Sequence, residues 1–428
     1  MLLEFSVSNY RSVLERQTLS LIASPSHEHE ESHVYVPAGK QPRVIRSAVI
    51  YGPNAAGKSN LIQAAAFAQA FIVSSAQLQE GQPINVTPFA LSQKSAREPS
   101  EFEFLFVEDG VRYHYGFALT AERVVREWLV AYPKGKQRWF EREYDADTGK
   151  YTWTLGGHFR GERAQKSTWR DSTRSNALFL SAAVQLNNEQ LRSVFGWFQN
   201  KLGVVTLTNS VNRLLSTELL RDPERKHLLD QFIRAADVGI EQLEYREERV
   251  QNATFININL ARTAFPVSNA PTPTFPLIGQ VFASHKLIDG DGTAKLNLDF
   301  AESDGTKKLF EYAGAWIKAL NEGVTLLVDE LDRSLHPLMT RFLVQLFHDP
   351  KRNANGAQLI FTTHDTTMLD AKFLRRDQVW FVEKDKSSST RLYSLLEYSP
   401  RTDEALERGY LKGRYGAIPF LSPLNFDV

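Results

Sequence analysis

A chain of 428 residues that is 42% hydrophobic carries ample apolar material for two or three domain-sized units with buried cores. Its 50 Lys and Arg balance its 50 Asp and Glu, so no net field gathers polyanions and any such site has to be a local patch. Cysteine is absent, which excludes disulfide staples, thiolate zinc sites and cysteine nucleophiles and agrees with a reducing cytoplasm.

The opening Met1–Leu14 sets Glu4 and Arg11 among short apolar runs, unlike a secretory leader. No apolar run approaches the roughly 18 residues of a membrane helix, so a soluble, cytoplasmic protein without membrane contact is expected. Leu2–Val7 alternates like a strand, and Ala48–Tyr51 is a short buried strand running into Gly52-Pro53. A helix is expected from Lys58 to about Ser75. Glu101–Val107 and Val111–Leu119 flank Asp109-Gly110 as a hairpin. Arg123–Ala131, Gln137–Tyr144 and Tyr151–Leu155 extend it into an antiparallel sheet. From about Ser181 the texture turns helical, with apolar positions three and four apart in Glu189–Lys201, Val211–Leu220 and Pro223–Ala236. Val267–Pro276 reads as a proline-rich loop between strand-like pieces. Helices at Thr306–Leu320 and His336–Phe347 enclose a buried strand, Thr325–Asp329. Gln358–Thr362 and Gln378–Glu383 are further strands, and Arg391–Leu396 is an edge strand. There is no internal repeat and no long heptad stretch, so no long coiled coil is expected.

Gly52-Pro53-Asn54-Ala55-Ala56-Gly57-Lys58-Ser59 fits G-x-x-x-x-G-K-[ST] without a mismatch, between a strand and a helix as the chemistry requires. The glycines let the backbone wrap phosphate oxygens with its N–H groups pointing inward. The following helix aims its positive end at the anion. Asn54, Ala55, Ala56, Gly57, Lys58, Ser59 and Asn60 are thus expected to hold the phosphates of ATP, with Lys58 on the β- and γ-phosphates and Ser59 on Mg²⁺.

Thr325-Leu326-Leu327-Val328-Asp329-Glu330 is an apolar strand ending in two acids. Alone it would be an ordinary strand entering a turn. Beside a phosphate cradle, Asp329 is placed for the Mg²⁺ shell and Glu330 for the attacking water. A second carboxylate argues for hydrolysis over binding alone.

Leu331-Asp332 and Ser334-Leu335-His336-Pro337 follow at once. With them the chain resembles the ABC-type ATPases that include SMC, RecF-like and OLD-family proteins. The resemblance implies an α/β fold: a P-loop NTPase head with a mixed β-sheet core, an antiparallel β subdomain and a helical or arm insertion. The expected division is 1–180 for the nucleotide lobe, 181–290 for the insertion and 291–428 for the second part of the core. Glu302-Ser303-Asp304-Gly305-Thr306 resembles the signature helix of that group, so Ser303 and the Gly305 amide would meet the γ-phosphate held by a sister molecule. Taken alone, Ser303 reads as a helix cap. Thr362-Thr363-His364 resembles the switch histidine, with His364 joining Glu330 and Lys58 as catalytic. Asn9-Tyr10-Arg11-Ser12 resembles the group's N-terminal motif, which would bring Arg11 to the nucleotide; a plain turn is the alternative. Gln185 is the residue expected to act as the metal-side glutamine with Ser59 and Asp329.

Ala235–Ile240 and Gly409–Pro419 resemble bacterial OLD/RloA/AbiL-like phage-defence ATPases. The stretch after Glu383 is too short for the Toprim nuclease of OLD proteins, so the resemblance implies an effector, nuclease or toxin, on a separate chain. Partners are then a second copy in an ATP-dependent dimer or larger assembly, and that effector. Nucleic acid is a further candidate through Arg160, Arg163, Lys166, Arg170 and Arg174 around Trp169, although solvated surface is the simpler reading. The competing function is a RecF- or SMC-like DNA-repair clamp. A transporter subunit fits less well, because the Leu-Ser-Gly-Gly-Gln form of the signature is missing.

Overall fold

The computed structural model describes residues 1–206, 211–236, 239–249, 277–399 and 404–419. It forms two compact units, Met1–Asn209 with Lys318–Val428, and Ser210–Ile317.

The first unit is built on two sheets. One is seven-stranded and antiparallel throughout, in the order Lys150–Leu155, Gln137–Asp145, Val124–Tyr132, Val111–Leu119, Ser100–Glu108, Leu2–Ser8, Gln17–Ser20. Alternation explains its two faces. Phe102, Phe104 and Phe106 turn inward with Tyr113, Tyr115 and Phe117, while Glu101 and Glu103 turn outward to Arg16. Phe5 meets Phe104 at 4.8 Å and Phe102 meets Phe117 at 5.4 Å between ring centroids, so the inner face is an aromatic slab.

The other sheet has six strands in the order Leu202–Val205, Thr325–Val328, Gln358–Thr362, Ser47–Tyr51, Val379–Lys384, Thr390–Ser394. Every neighbouring pair is parallel except the last. The register sets Val328 beside Phe361 and Thr362 beside Ile50, so three strands finish at one edge. Loops leaving the carboxyl ends of parallel strands are where such sheets place ligands. The helix Lys58–Ser74 shares one buried core with both sheets. Its Ala64, Ala65 and Ala68 carry no bulk to hold the sheets away, and Leu61, Ile62, Phe71 and Ile72 fill the flanks.

Residues 181–206 belong to this unit and not to the insertion expected to begin at Ser181. The physical reason is aromatic packing. Trp197 stacks on Phe106 at 4.1 Å, Phe198 lies 5.0 Å from Phe104, and Leu202–Val205 then pairs with the strand Thr325–Val328.

The second unit, where a helical or arm insertion is the expectation, is α+β. Helices Val211–Arg221 and Lys226–Ala235 accompany an antiparallel sheet of Gln242–Arg249, Leu277–Lys286 and Thr293–Asn297. The short helix Leu298–Ala301 follows, and most of the helix Asp304–Glu322 belongs here, so the unit runs on past 291. The loop expected at Val267–Pro276 lies outside the described residues, as do Asp237 and Val238. Among the described residues no helix is long and apolar enough to cross a membrane.

Candidate active site

The turn between the strand Ser47–Tyr51 and the helix Lys58–Ser74 alternates ordinary and left-handed backbone, with φ of 63° at Ala55 and 108° at Gly57. Such alternation gathers successive N–H groups into an anion-binding concavity. Both motif glycines are required by contact, and Gly57 by its φ as well. A Cβ on Gly52 would lie 2.3 Å from the Val382 carbonyl oxygen, and one on Gly57 would lie 2.1 Å from Thr390 Oγ1. Asn54 and Ala55 are exposed at the rim. Lys58 is buried, and its Nζ donates to the carbonyls of Gly52 at 2.7 Å and Pro53 at 3.1 Å. Burial lowers its pKa, and Glu330, Asp329 and Asp332 oppose that shift from nearby.

Asp329 arrives from the neighbouring part of the sheet. Its Oδ1 accepts from Ser59 Oγ at 3.0 Å and from Thr362 Oγ1 at 2.8 Å. Thr362 is fully buried and also accepts the Glu330 amide at 2.7 Å, so one hydroxyl fixes both acids. Glu330 is left-handed at φ 51°, a costly conformation for a side chain of this size, held here by the Thr362 bond and by Leu331 N donating to Thr362 O at 3.0 Å. Its carboxylate is half-buried and 3.7 Å from Arg333. His364 follows the next strand and its amide donates to Asp332 at 3.2 Å. Desolvation and then the Lys58 ammonium hold its imidazolium below the usual histidine range. Lys58, Ser59, Asp329, Glu330, Asp332, Thr362 and His364 are therefore one cluster. Thr362 is the member that local pattern does not reveal as chemical; its sign is a hydroxyl residue ending a strand two positions before His364.

Arg11 and Asn60 stand on the flank. Arg11 is left-handed at φ 49°, its amide donates to Thr87 O at 2.8 Å, and its guanidinium hydrogen-bonds the Gln63 side chain. Asn60 Nδ2 donates to Ser12 Oγ at 2.6 Å. An open cavity of about 370 Å³ lies beside them, lined also by Phe89 and Lys384. Gln185 is not brought into the set. It is exposed at the end of the helix Phe179–Gln185, whose Ser181 meets Ser75, roughly 24 Å along the helix axis from Ser59. Ser303 and Gly305 belong to the second unit, where Ser303 Oγ accepts from Thr306 N at 3.2 Å as a helix cap. The basic stretch is largely exposed on the helix Arg163–Asp171, but Trp169 is buried, edge-on to Phe159 at 6.0 Å, and offers no face for stacking a base.

A phosphate cradle backed by a strand-end carboxylate pair defines the class: a P-loop ATPase. The chain belongs to the family described as "AAA domain, putative AbiEii toxin, Type IV TA system", whose model matches residues 47–370. Among solved structures it is similar to the SMC head domain from Thermotoga maritima, with 15% identity, a TM-score of 0.39, and 92% of this chain and 98% of that chain covered. It is also similar to the structure titled "Crystal structure of the SmcHead bound to the C-winged helix domain of ScpA", with 12% identity, a TM-score of 0.41, and 93% and 99% covered. No curated protein matches it.

The residues present suit ATP with Mg²⁺. Gly52 and Gly57 leave room where any side chain would crowd the loop. A Ser59 hydroxyl 3.0 Å from an Asp329 carboxylate is a pair of hard oxygen donors, the sparse protein share that Mg²⁺ takes beside phosphate and water. No group of three or more His, Asp or Glu forms a protein-only metal cage among the described residues.

Proposed function

We propose that the chain hydrolyses ATP as a switch that closes two copies face to face and thereby controls a separately encoded effector in bacterial anti-phage defence. Lys58 and the amides around Gly57 hold the β- and γ-phosphates. Ser59 and Asp329 hold Mg²⁺, which when bound neutralises charge developing on the phosphate oxygens. Glu330 orients and deprotonates the attacking water, and His364 contacts the γ-phosphate. Arg11 and Asn60 flank the nucleotide. Ser303 and Gly305 of a second copy seal the site, so ATP joins the copies and hydrolysis releases them. The observation that carries this reading is the Ser59–Asp329 hydrogen bond with Glu330 as the very next residue.

The family's printed description, naming a toxin of a type IV toxin–antitoxin system, supports the defence setting. The finer kinship with OLD/RloA/AbiL-like ATPases rests on Ala235–Ile240 and Gly409–Pro419. A cytoplasmic site of action follows from the same role.

Glu330→Gln tests it. Expected are retained ATP binding, hydrolysis slower by on the order of 100-fold or more, and an ATP-dependent dimer in sedimentation. Hydrolysis equal to the parent would remove Glu330 from its role, and a monomer at saturating ATP would remove the face-to-face closure. Capture of the trapped form with its neighbouring gene products identifies the effector.

A further inference from the structure

The cradle has a back wall that the phosphate motif does not include. Thr390 opens the strand Thr390–Ser394 and is 1% exposed. Its Oγ1 lies 2.9 Å from the Ala56 carbonyl oxygen and 2.7 Å from Ser12 Oγ, which in turn lies 2.6 Å from Asn60 Nδ2. The proton order in this chain has one solution. The Asn60 amide nitrogen only donates and the Ala56 carbonyl only accepts, while each hydroxyl has one proton to give. Asn60 therefore donates to Ser12, Ser12 to Thr390, and Thr390 to Ala56. Each bond polarises the next in the same sense. The backbone repeats the link, with Thr390 N donating to Ser12 O at 2.7 Å.

The consequence for the cradle comes from peptide geometry. In a trans peptide the C=O and the following N–H point in opposite directions. Holding the Ala56 carbonyl back onto Thr390 aims the Gly57 amide forward, into the concavity. Thr390 Oγ1 also occupies the space a Gly57 side chain would need, so hydroxyl and glycine fit as a pair.

We infer that Thr390 is a positioning residue for the nucleotide: through its hydroxyl it fixes the Ala56–Gly57 peptide so that the Gly57 amide meets a phosphate oxygen, with Ser12 and Asn60 setting the hydroxyl's direction. This rests on the reading of the Gly52–Ser59 loop as a phosphate cradle.

The test uses the full chain with Thr390→Val, which removes the hydroxyl at nearly constant volume, and Thr390→Ser, which keeps it. ATP Kd, KM and kcat are measured with Mg²⁺. Thr390→Val should raise Kd and KM roughly tenfold, the weight of one buried hydrogen bond, with kcat within about twofold, the pattern of lost uniform binding. Thr390→Ser should restore both to within about threefold. Unchanged Kd in Thr390→Val, loss confined to kcat, or failure of Thr390→Ser to restore binding overturns the inference. Should Thr390→Val not fold, Ser12→Ala decides: a rise of about threefold in Kd supports the relay, and parent affinity overturns it. Lys58→Ala separates the two levels. If that variant binds ATP like the parent, the cradle reading itself fails; if it loses ATP while Thr390→Val keeps it, only the role of Thr390 fails.

Discussion

The Ser59 hydroxyl donates to the Asp329 carboxylate across 3.0 Å, although 270 positions separate them in the chain. One comes from the first turn of the cradle helix, the other from the end of a strand two places across the sheet. Asp329→Asn keeps the shape and the partner but weakens the hold on a divalent cation. Phosphate release in Mg²⁺ should fall by on the order of 100-fold, with ATP binding in EDTA unchanged. Mg²⁺-dependent turnover at the parental rate would mean that Asp329 is not on the metal.

Gly57 and Gly39 are both left-handed, at φ 108° and 81°, but only Gly57 is enclosed. Gly57→Ala would press its methyl onto Thr390 and should abolish ATP binding in equilibrium titration. Gly39 has nothing within 4 Å, so Gly39→Ala should cost about 1 kcal/mol of stability and leave ATP affinity intact. Similar affinity losses in both would point to backbone strain and not to enclosure.

Acid should loosen the first unit through its buried histidines. The rings of His33 and His348 lie 3.7 Å apart between centroids, tilted by 31°, and the His33 Nε2 bonds the Phe373 carbonyl at 2.9 Å. Burial lowers the His33 pKa from 6.5 to about 4 and holds His348 well below its ordinary value. The unfolded chain therefore binds more protons in that window. The share of His33 is full above about pH 6.5, is lost as pH drops toward about 4, and no longer changes below that. His33 alone contributes at most ~3 kcal/mol to the fall. Thermal unfolding between pH 7 and 4.5 should give a steeper decline for the parent than for His33→Gln; parallel declines would contradict the assignment.

Glu127 and Arg142 form an ion pair with both side chains fully buried, 3.0 Å apart. Glu127 also accepts from Tyr115 Oη at 3.0 Å and from the amides of Phe179 at 2.6 Å and Leu180 at 2.9 Å, so it anchors the helix Phe179–Gln185 to the antiparallel sheet. Glu127→Ala strands a buried guanidinium and should cost about 3–5 kcal/mol in urea unfolding. A loss below about 1 kcal/mol would show the pair to be dispensable.

How much of this could be read from the residues depended on whether the chemistry was local. The Gly52–Ser59 loop and the Val328–Glu330 strand end each carry their meaning within eight residues or fewer, and Leu2–Ser8 through Lys150–Leu155 announce themselves by alternation. Sheet order is not written locally. That Gln358–Thr362 runs between the cradle strand and the acidic strand, and so delivers Thr362 to Asp329, depends on long-range pairing. Gln242–Arg249 eluded pattern because its charges satisfy one another, as Glu244 does with Arg246 two residues along the same strand and with Lys295 on Thr293–Asn297. Trp197 and Phe198 sit at helical spacing in a run that could have begun an arm; only the aromatic slab they meet assigns them to the head. Gln185 follows the apolar run Leu178–Ala183, and nearness to such a run says nothing about the direction of a helix.

Ser12 and Thr390 touch across 378 positions. During synthesis on the ribosome, Gly52 to Ser59 emerge long before the wall behind them at Thr390. At about 5–20 residues per second the motif waits tens of seconds for its support. A nascent copy that ends between Ser59 and Thr390 thus carries the recognisable loop without the hydroxyl that stands behind it.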